Sequence, residues 1–120
     1  MDVDEPVLRI MERALEGGTV VLTVQGEVDM ATVDGLRARL TDACERAAAV
    51  TVDLRRVSFL DCTGLGVLLE QAELSARSGC ELELIPGPPC VQRLFELTGT
   101  AERLRFVAAG RARLAAAAGA

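Results

Sequence analysis

The 120-residue chain has no His, Lys, Trp, Tyr or Asn, and all 13 of its basic residues are Arg. Each gap removes chemistry. Without His there is no imidazole base, no Ser-His-Asp or Cys-His pair, and no His metal ligand. Without Lys there is no Walker-A phosphate lysine and no Schiff base. The longest run free of charge is ten residues, 17–26, well short of the roughly 18 a membrane span needs. No membrane partner is therefore expected. Arg is outnumbered by 18 acidic residues, for a formal net charge of −5. Nucleic-acid binding is not expected, because neutralising phosphates takes clustered cations.

The N-terminus carries Asp2, Asp4 and Glu5, the wrong sign for a signal peptide. Cys44, Cys62, Cys80 and Cys90 show no Cys-x-x-Cys spacing, so neither a metal site nor a cofactor is expected. Reduced thiols in the cytoplasm are the simplest reading. Half of the residues are apolar, and a chain of this length buries roughly two thirds of its unfolded surface. One domain over residues 1–110 is expected, followed by an Ala-rich, helix-prone tail over 111–120.

Apolar periodicity predicts the elements. Residues 7–14 form a candidate edge strand closed by Gly17-Gly18, and 19–24 a β-branched strand apolar on both faces, ending at Gly26. Thr32 is a candidate N-cap for a helix carrying Val33, Leu36, Leu40, Ala43, Cys44 and Ala47 on one face. Val50, Val52 and Leu54 alternate with Thr51 and Asp53 as a strand. After a short loop, Leu65, Leu68, Leu69, Ala72 and Ala76 stripe a second helix that stops at Gly79. Leu82, Leu84 and Ile85 read as a buried strand. Pro88 and Pro89 open a helix closed by Gly99, and 104–107 reads as a short final strand. Strands alternating with helices predict an α/β fold, a mostly parallel mixed β-sheet with helices packed on it.

In such sheets, sites lie beyond the carboxyl ends of the strands, which singles out residues 26–32 and 58–66. In the second loop a helix start favours negative charge, so a phosphorylated hydroxyl there would be partly stabilised, and Asp61 would oppose it. The structural alternative is an N-capping loop with Thr63 as cap and Gly64 and Gly66 for tight packing. Asp29 either precedes the first helix cap or faces a partner. Val67 and Leu74 lie off the core stripe. With Leu65 they form either an exposed apolar patch beside the loop or a contact with the neighbouring helix. Asp29, Asp61 and Glu70 would steer a basic partner surface. Asp53, interrupting an apolar strand, is expected near a sheet end or hydrogen-bonded. Cys44 reads as a small core residue.

Gly26-Glu27-Val28-Asp29, then Val52-Asp53-Leu54 and Phe59-Leu60-Asp61-Cys62-Thr63-Gly64-Leu65-Gly66-Val67-Leu68-Leu69, resemble the STAS domain of bacterial anti-sigma factor antagonists. The resemblance in element order spans residues 7–107. It implies a binding module rather than an enzyme, whose partner is an anti-sigma factor of the serine protein kinase type. In that family the unphosphorylated antagonist binds the anti-sigma factor and frees the sigma factor. The kinase then phosphorylates a Ser in an Asp-Ser-Ser/Thr-Gly loop, and a phosphatase reverses it. By resemblance, Asp61 matches the acidic residue before the acceptor, Cys62 the acceptor itself, Thr63 and Gly64 the following pair, and Asp29 the acidic residue near the acceptor. Leu65 and Val67 complete the implied switch loop and partner surface.

Cys62 departs from the family pattern by placing a thiol where a Ser hydroxyl stands. Three readings stay open: the switch is absent and the chain stays binding-competent, Thr63 is a substitute acceptor, or the thiol is a redox control point. A helix start lowers a thiol pKa while Asp61 raises it, so no special reactivity is implied. A Cys-x5-Arg phosphatase loop is excluded, because Leu68 stands six residues after Cys62. An alternative role is that of a STAS subunit in a stress-signalling or transporter-associated complex.

Overall fold

The computed structural model describes residues 7–113. Strands β1 (Leu8–Leu15), β2 (Thr19–Val28), β3 (Ala49–Leu60) and β4 (Glu81–Ile85) alternate with helices α1 (Val33–Arg46), α2 (Cys62–Ser78) and α3 (Pro89–Thr98). They form one sheet in the order β1-β2-β3-β4. The β1–β2 pair is antiparallel across the Gly17-Gly18 turn, and β2–β3 and β3–β4 are parallel. A mixed, mostly parallel sheet with helices packed on it is what the alternating apolar periods predict.

The helices share the sheet face presented by Val20, Leu22, Val24, Val50, Val52 and Leu84, and Leu36, Leu40, Leu68 and Phe95 complete that core. Phe95 meets Phe106 edge-on, with ring centroids 5.1 Å apart. Cys44 is buried in this cluster, as its place on the α1 stripe predicts. The free edge of β1 is guarded by charge. Arg39 donates to the Ile10 carbonyl at 3.2 Å, and Glu12 bonds Arg46 at 2.9 Å; both oppose pairing with another strand.

The strand expected over 50–54 continues to Leu60, with no loop before the second helix. The β2–β3 register shifts between Thr23 and Gln25 and again between Gly26 and Glu27. These irregularities break the period-2 alternation, so Val57 and Leu60 both turn to the core while Arg55, Arg56, Ser58 and Phe59 face out. A pattern read for strict alternation ends at Leu54. The strand read to Gly26 likewise runs on to Val28, because Gly26, Glu27 and Val28 keep pairing with Val57, Phe59 and Leu60; Gly26 adopts φ +109°, and a side chain there would strike the Val7 carbonyl.

The strand expected over 104–107 reduces to one parallel bridge, Leu84 to Phe106. Two 3₁₀ turns, Ala101–Arg103 and Ala109–Arg111, bracket it and leave only this short crossing for pairing. The chain then passes to the other sheet face. There the backbone N–H of Arg113 donates to buried Glu83 at 2.8 Å, and Thr51 donates to the same carboxylate at 2.7 Å. The expected tail helix over 111–120 falls, from residue 114 onward, outside the described residues.

Gly64 governs how closely α2 approaches the sheet. A Cβ there would lie 2.5 Å from Leu60 Cδ1 and 2.6 Å from Val28 Cγ1. Gly64→Ala should therefore destabilise the fold by about 1–3 kcal/mol through overpacking, measured by urea unfolding. At Gly66, by contrast, a Cβ would meet no neighbouring atom within 4 Å. Gly66→Ala should accordingly be neutral or stabilising by up to about 1 kcal/mol.

Candidate functional site

Because β2 and β3 run parallel, both deliver their carboxyl ends to one end of the sheet, where Val28 pairs with Leu60. The next residues are Asp29 and Asp61, and the Asp61 N–H donates to the Val28 carbonyl at 3.1 Å. Two acidic turns thus begin side by side although 32 positions separate them in the chain.

Asp29 shapes its own turn. Its Oδ1 accepts from the backbone N–H groups of Ala31 at 2.9 Å and Thr32 at 3.2 Å. Thr32 does not cap α1 with its side chain. Its hydroxyl donates to the Glu27 carbonyl at 2.8 Å and accepts from Asp29 N–H at 3.0 Å, which directs it back toward β2. Met30 stands between them, 75% exposed.

Asp61, not Thr63, caps α2. Its Oδ1 accepts from the N–H groups of Thr63 at 2.9 Å and Gly64 at 3.2 Å, satisfying donors the helix leaves unpaired. The Thr63 hydroxyl also donates to that oxygen. This side-chain bond is the largest influence holding the Asp61 carboxyl below its ordinary range. Burial opposes it as the next-largest influence, and backbone N–H groups of Gly64, Thr63 and Met30 add smaller lowering contributions.

Cys62 occupies the first helical position and is exposed. Thr63 is half-buried and its hydroxyl engaged. Leu65 and Val67 are buried, as is Gly64, which corrects the expectation of an apolar surface patch built on them. Both side chains join the core under α2, where burial stabilises each by about 1.5–3 kcal/mol. Of the expected patch, Leu74 alone stays open, at 43% exposure. Gly66 is exposed with open space around it, so it serves no tight packing. Apolar surface near this end comes instead from residues the periodicity did not single out: Met30, and the groove in which Phe59, Leu94 and Leu97 meet Cys90. The one available signal was Phe59, an aromatic residue in a stretch too polar to be core.

The acidic residue of β3 fits its expectation. Asp53 is nearly buried and takes the Arg55 fork at 3.0 and 2.8 Å. Burial works against its charge, and Arg55 outweighs that to hold the carboxyl below its ordinary range.

The thiols divide in two pairs. Cys44 and Cys80 are buried, whereas Cys62 and Cys90 are exposed. Burial, followed by the neighbouring Cys80 thiol, pushes Cys44 up to about 12. Among the described residues, no group of three or more acidic or thiol side chains is arranged to hold a metal ion. No helix among them is long and apolar enough to cross a membrane.

A carboxylate whose folded pKa is depressed stabilises the fold above its unfolded pKa, and that contribution is lost as pH falls through the folded value. Asp61→Ala should cost roughly 0.5–2 kcal/mol at neutral pH, a cost that shrinks in acid once the pH has fallen through the lowered folded value and the wild type loses the same charge; urea unfolding at neutral and at acid pH checks this. Native protein should release colour from Ellman's reagent at Cys62 and Cys90 alone. Cys44 and Cys80 should react only after unfolding.

Comparison with known proteins gives one family. The STAS domain description matches residues 11–110. The chain is 30% identical to an anti-sigma F factor antagonist of Paenibacillus polymyxa, over 68% of this chain and 72% of that protein. It is 31% identical to an anti-sigma-B factor antagonist of Bacillus subtilis, over 67% and 73% respectively. In structure it resembles an anti-sigma factor antagonist from Mycobacterium paratuberculosis, with a TM-score of 0.80, 23% identity, and coverage of 97% of this chain and 99% of the other. With that match spanning most of its length, and with these relatives, the chain belongs to the STAS domain family.

Proposed function

We propose that this chain is a cytoplasmic anti-sigma factor antagonist. It acts by reversible binding, not catalysis, and docks a kinase-type anti-sigma factor on the sheet end formed by Asp29, Met30, Asp61 and Cys62. The observation that carries the reading is the pairing of Val28 with Leu60, which sets the two acidic turns side by side around an exposed helix start. Two relatives bearing the antagonist name support the role. Charge at this end favours encounter with a basic surface, and Met30 and Phe59 supply apolar area for docking.

The regulation proposed differs from the phosphoserine switch that the resemblance implies. Cys62 stands at the acceptor position, and a kinase that transfers phosphate to hydroxyls leaves a thiol unmodified. Thr63 is poorly placed as a substitute. Its hydroxyl is already donated to Asp61, and a phosphate there would set about 1.5–2 negative charges against the carboxylate that caps α2. The chain thus stays binding-competent in the presence of kinase and ATP, and a phosphatase has nothing to reverse on the wild-type loop.

Titration calorimetry against the cognate kinase-type anti-sigma factor, with ADP or ATP present, should give saturable binding; no heat under either condition would end the proposal. After incubation with that partner and ATP, intact mass spectrometry should show wild-type protein unchanged and Cys62→Ser carrying one phosphate. A phosphopeptide containing modified Thr63 from the wild type would overturn the unswitched reading and leave the binding role standing.

A further inference from the structure

The sheet face turned away from the helices is unevenly covered. Over β4 it carries the C-terminal crossing, tied down where Arg113 meets Glu83 and Glu81. Across β1, β2 and the middle of β3, the described residues leave a groove of about 420 Å³, within the range of roughly 300–1,000 Å³ typical of small-ligand sites. Register builds it. Met11 pairs with Thr23, which pairs with Asp53, and Arg13 pairs with Val21. The first β3 irregularity then brings Arg56 opposite Gln25. Met11, Val21 and Thr23 make the floor, and Arg13, Arg55 and Arg56 the rim.

The charges along this groove do not cancel. Asp53 is taken by Arg55 through both oxygens. Glu12, which also lines the groove, is engaged by Arg46 at 2.9 Å and Arg39 at 3.5 Å. Among the described residues, no ion pair involves Arg13 or Arg56. Two guanidinium groups therefore bound an apolar floor without an ion pair among the described residues, Arg56 acting on Asp53 only as a more distant charge. The chain's formal charge of −5 opposes a large polyanion, whose length would run past the groove onto acidic surface. A small anion meets only the local cations.

We propose that this groove binds a small organic anion, with its phosphate or carboxylate held by Arg13 and Arg56 and its apolar body laid on Met11 and Val21. Guanidinium is suited to this, because its planar fork matches both head groups. The site lies on the opposite sheet face from α1 and α2, so it is independent of the docking role proposed for the Asp29–Asp61 end.

The test is a ¹⁵N–¹H NMR titration of the full chain with phenyl phosphate, with phenol as the uncharged control. Saturable shifts are expected at Arg13, Val21, Thr23 and Arg56, weakening as salt is raised. Arg13→Gln and Arg56→Gln, both at exposed positions, should keep the dispersed native spectrum and each weaken binding about tenfold, as expected for loss of one charge-assisted hydrogen bond. Three results would overturn the site: no shifts up to about 10 mM phenyl phosphate, an affinity too weak to act; equal shifts with phenol; or binding that survives both substitutions.

Discussion

The parallel pairing of β2 with β3 is the constraint on which this molecule depends. Parallel neighbours send their carboxyl ends the same way, so the Val28–Leu60 pair forces Asp29 and Asp61 to start their turns together. Each aspartate then spends its side chain locally, Asp29 on Ala31 and Thr32, Asp61 on Thr63 and Gly64. The acidic end is therefore a closed turn at Asp29 beside a helix cap at Asp61. Gly64 keeps it close, because any side chain there would hold α2 off Val28 and Leu60. Capping, close approach and negative charge are three consequences of one register.

The same capping bears on what a phosphate at this loop would do. A phosphate next to Asp61 would compete for the N–H groups that Asp61 holds, so modification and helix capping oppose each other. A thiol at Cys62 leaves that competition unused while keeping the exposed first helical position filled by a small side chain. The two sheet faces divide labour in a similar way. One face holds the apolar core under the helices. The other carries a buried carboxylate, Glu83, tied to Arg113, beside an arginine-rimmed groove that the described residues leave open.

Much of the fold was legible because its strands and helices keep their proper periods. The α1 stripe from Val33 to Cys44 and the alternation of Val50, Val52 and Leu54 each report one buried face. The pattern failed where the backbone departs from those periods. Beyond Leu54, bulged pairing brings Val57 and Leu60 to the core at a spacing no strand template contains. The 104–107 segment looked like a strand by composition, yet its 3₁₀ flanks leave a single bridge. Val67 is a surface candidate because it lies off the narrow stripe of α2, and Leu65, on that stripe, because it stands at the exposed loop. The helix start is instead packed from two directions, by the sheet and by α1, and buries both.

By itself the sequence determined the α/β class, the helix stripes, the two acidic loops and the absence of a Ser at position 62, since all of these are local in residue type and period. Tertiary structure alone decided which aspartate caps α2, which apolar residues remain exposed, and that Arg13 and Arg56 border one groove. Those outcomes depend on register between strands distant in the chain, and a pairing energy shared across strands leaves no trace in the spacing along either one.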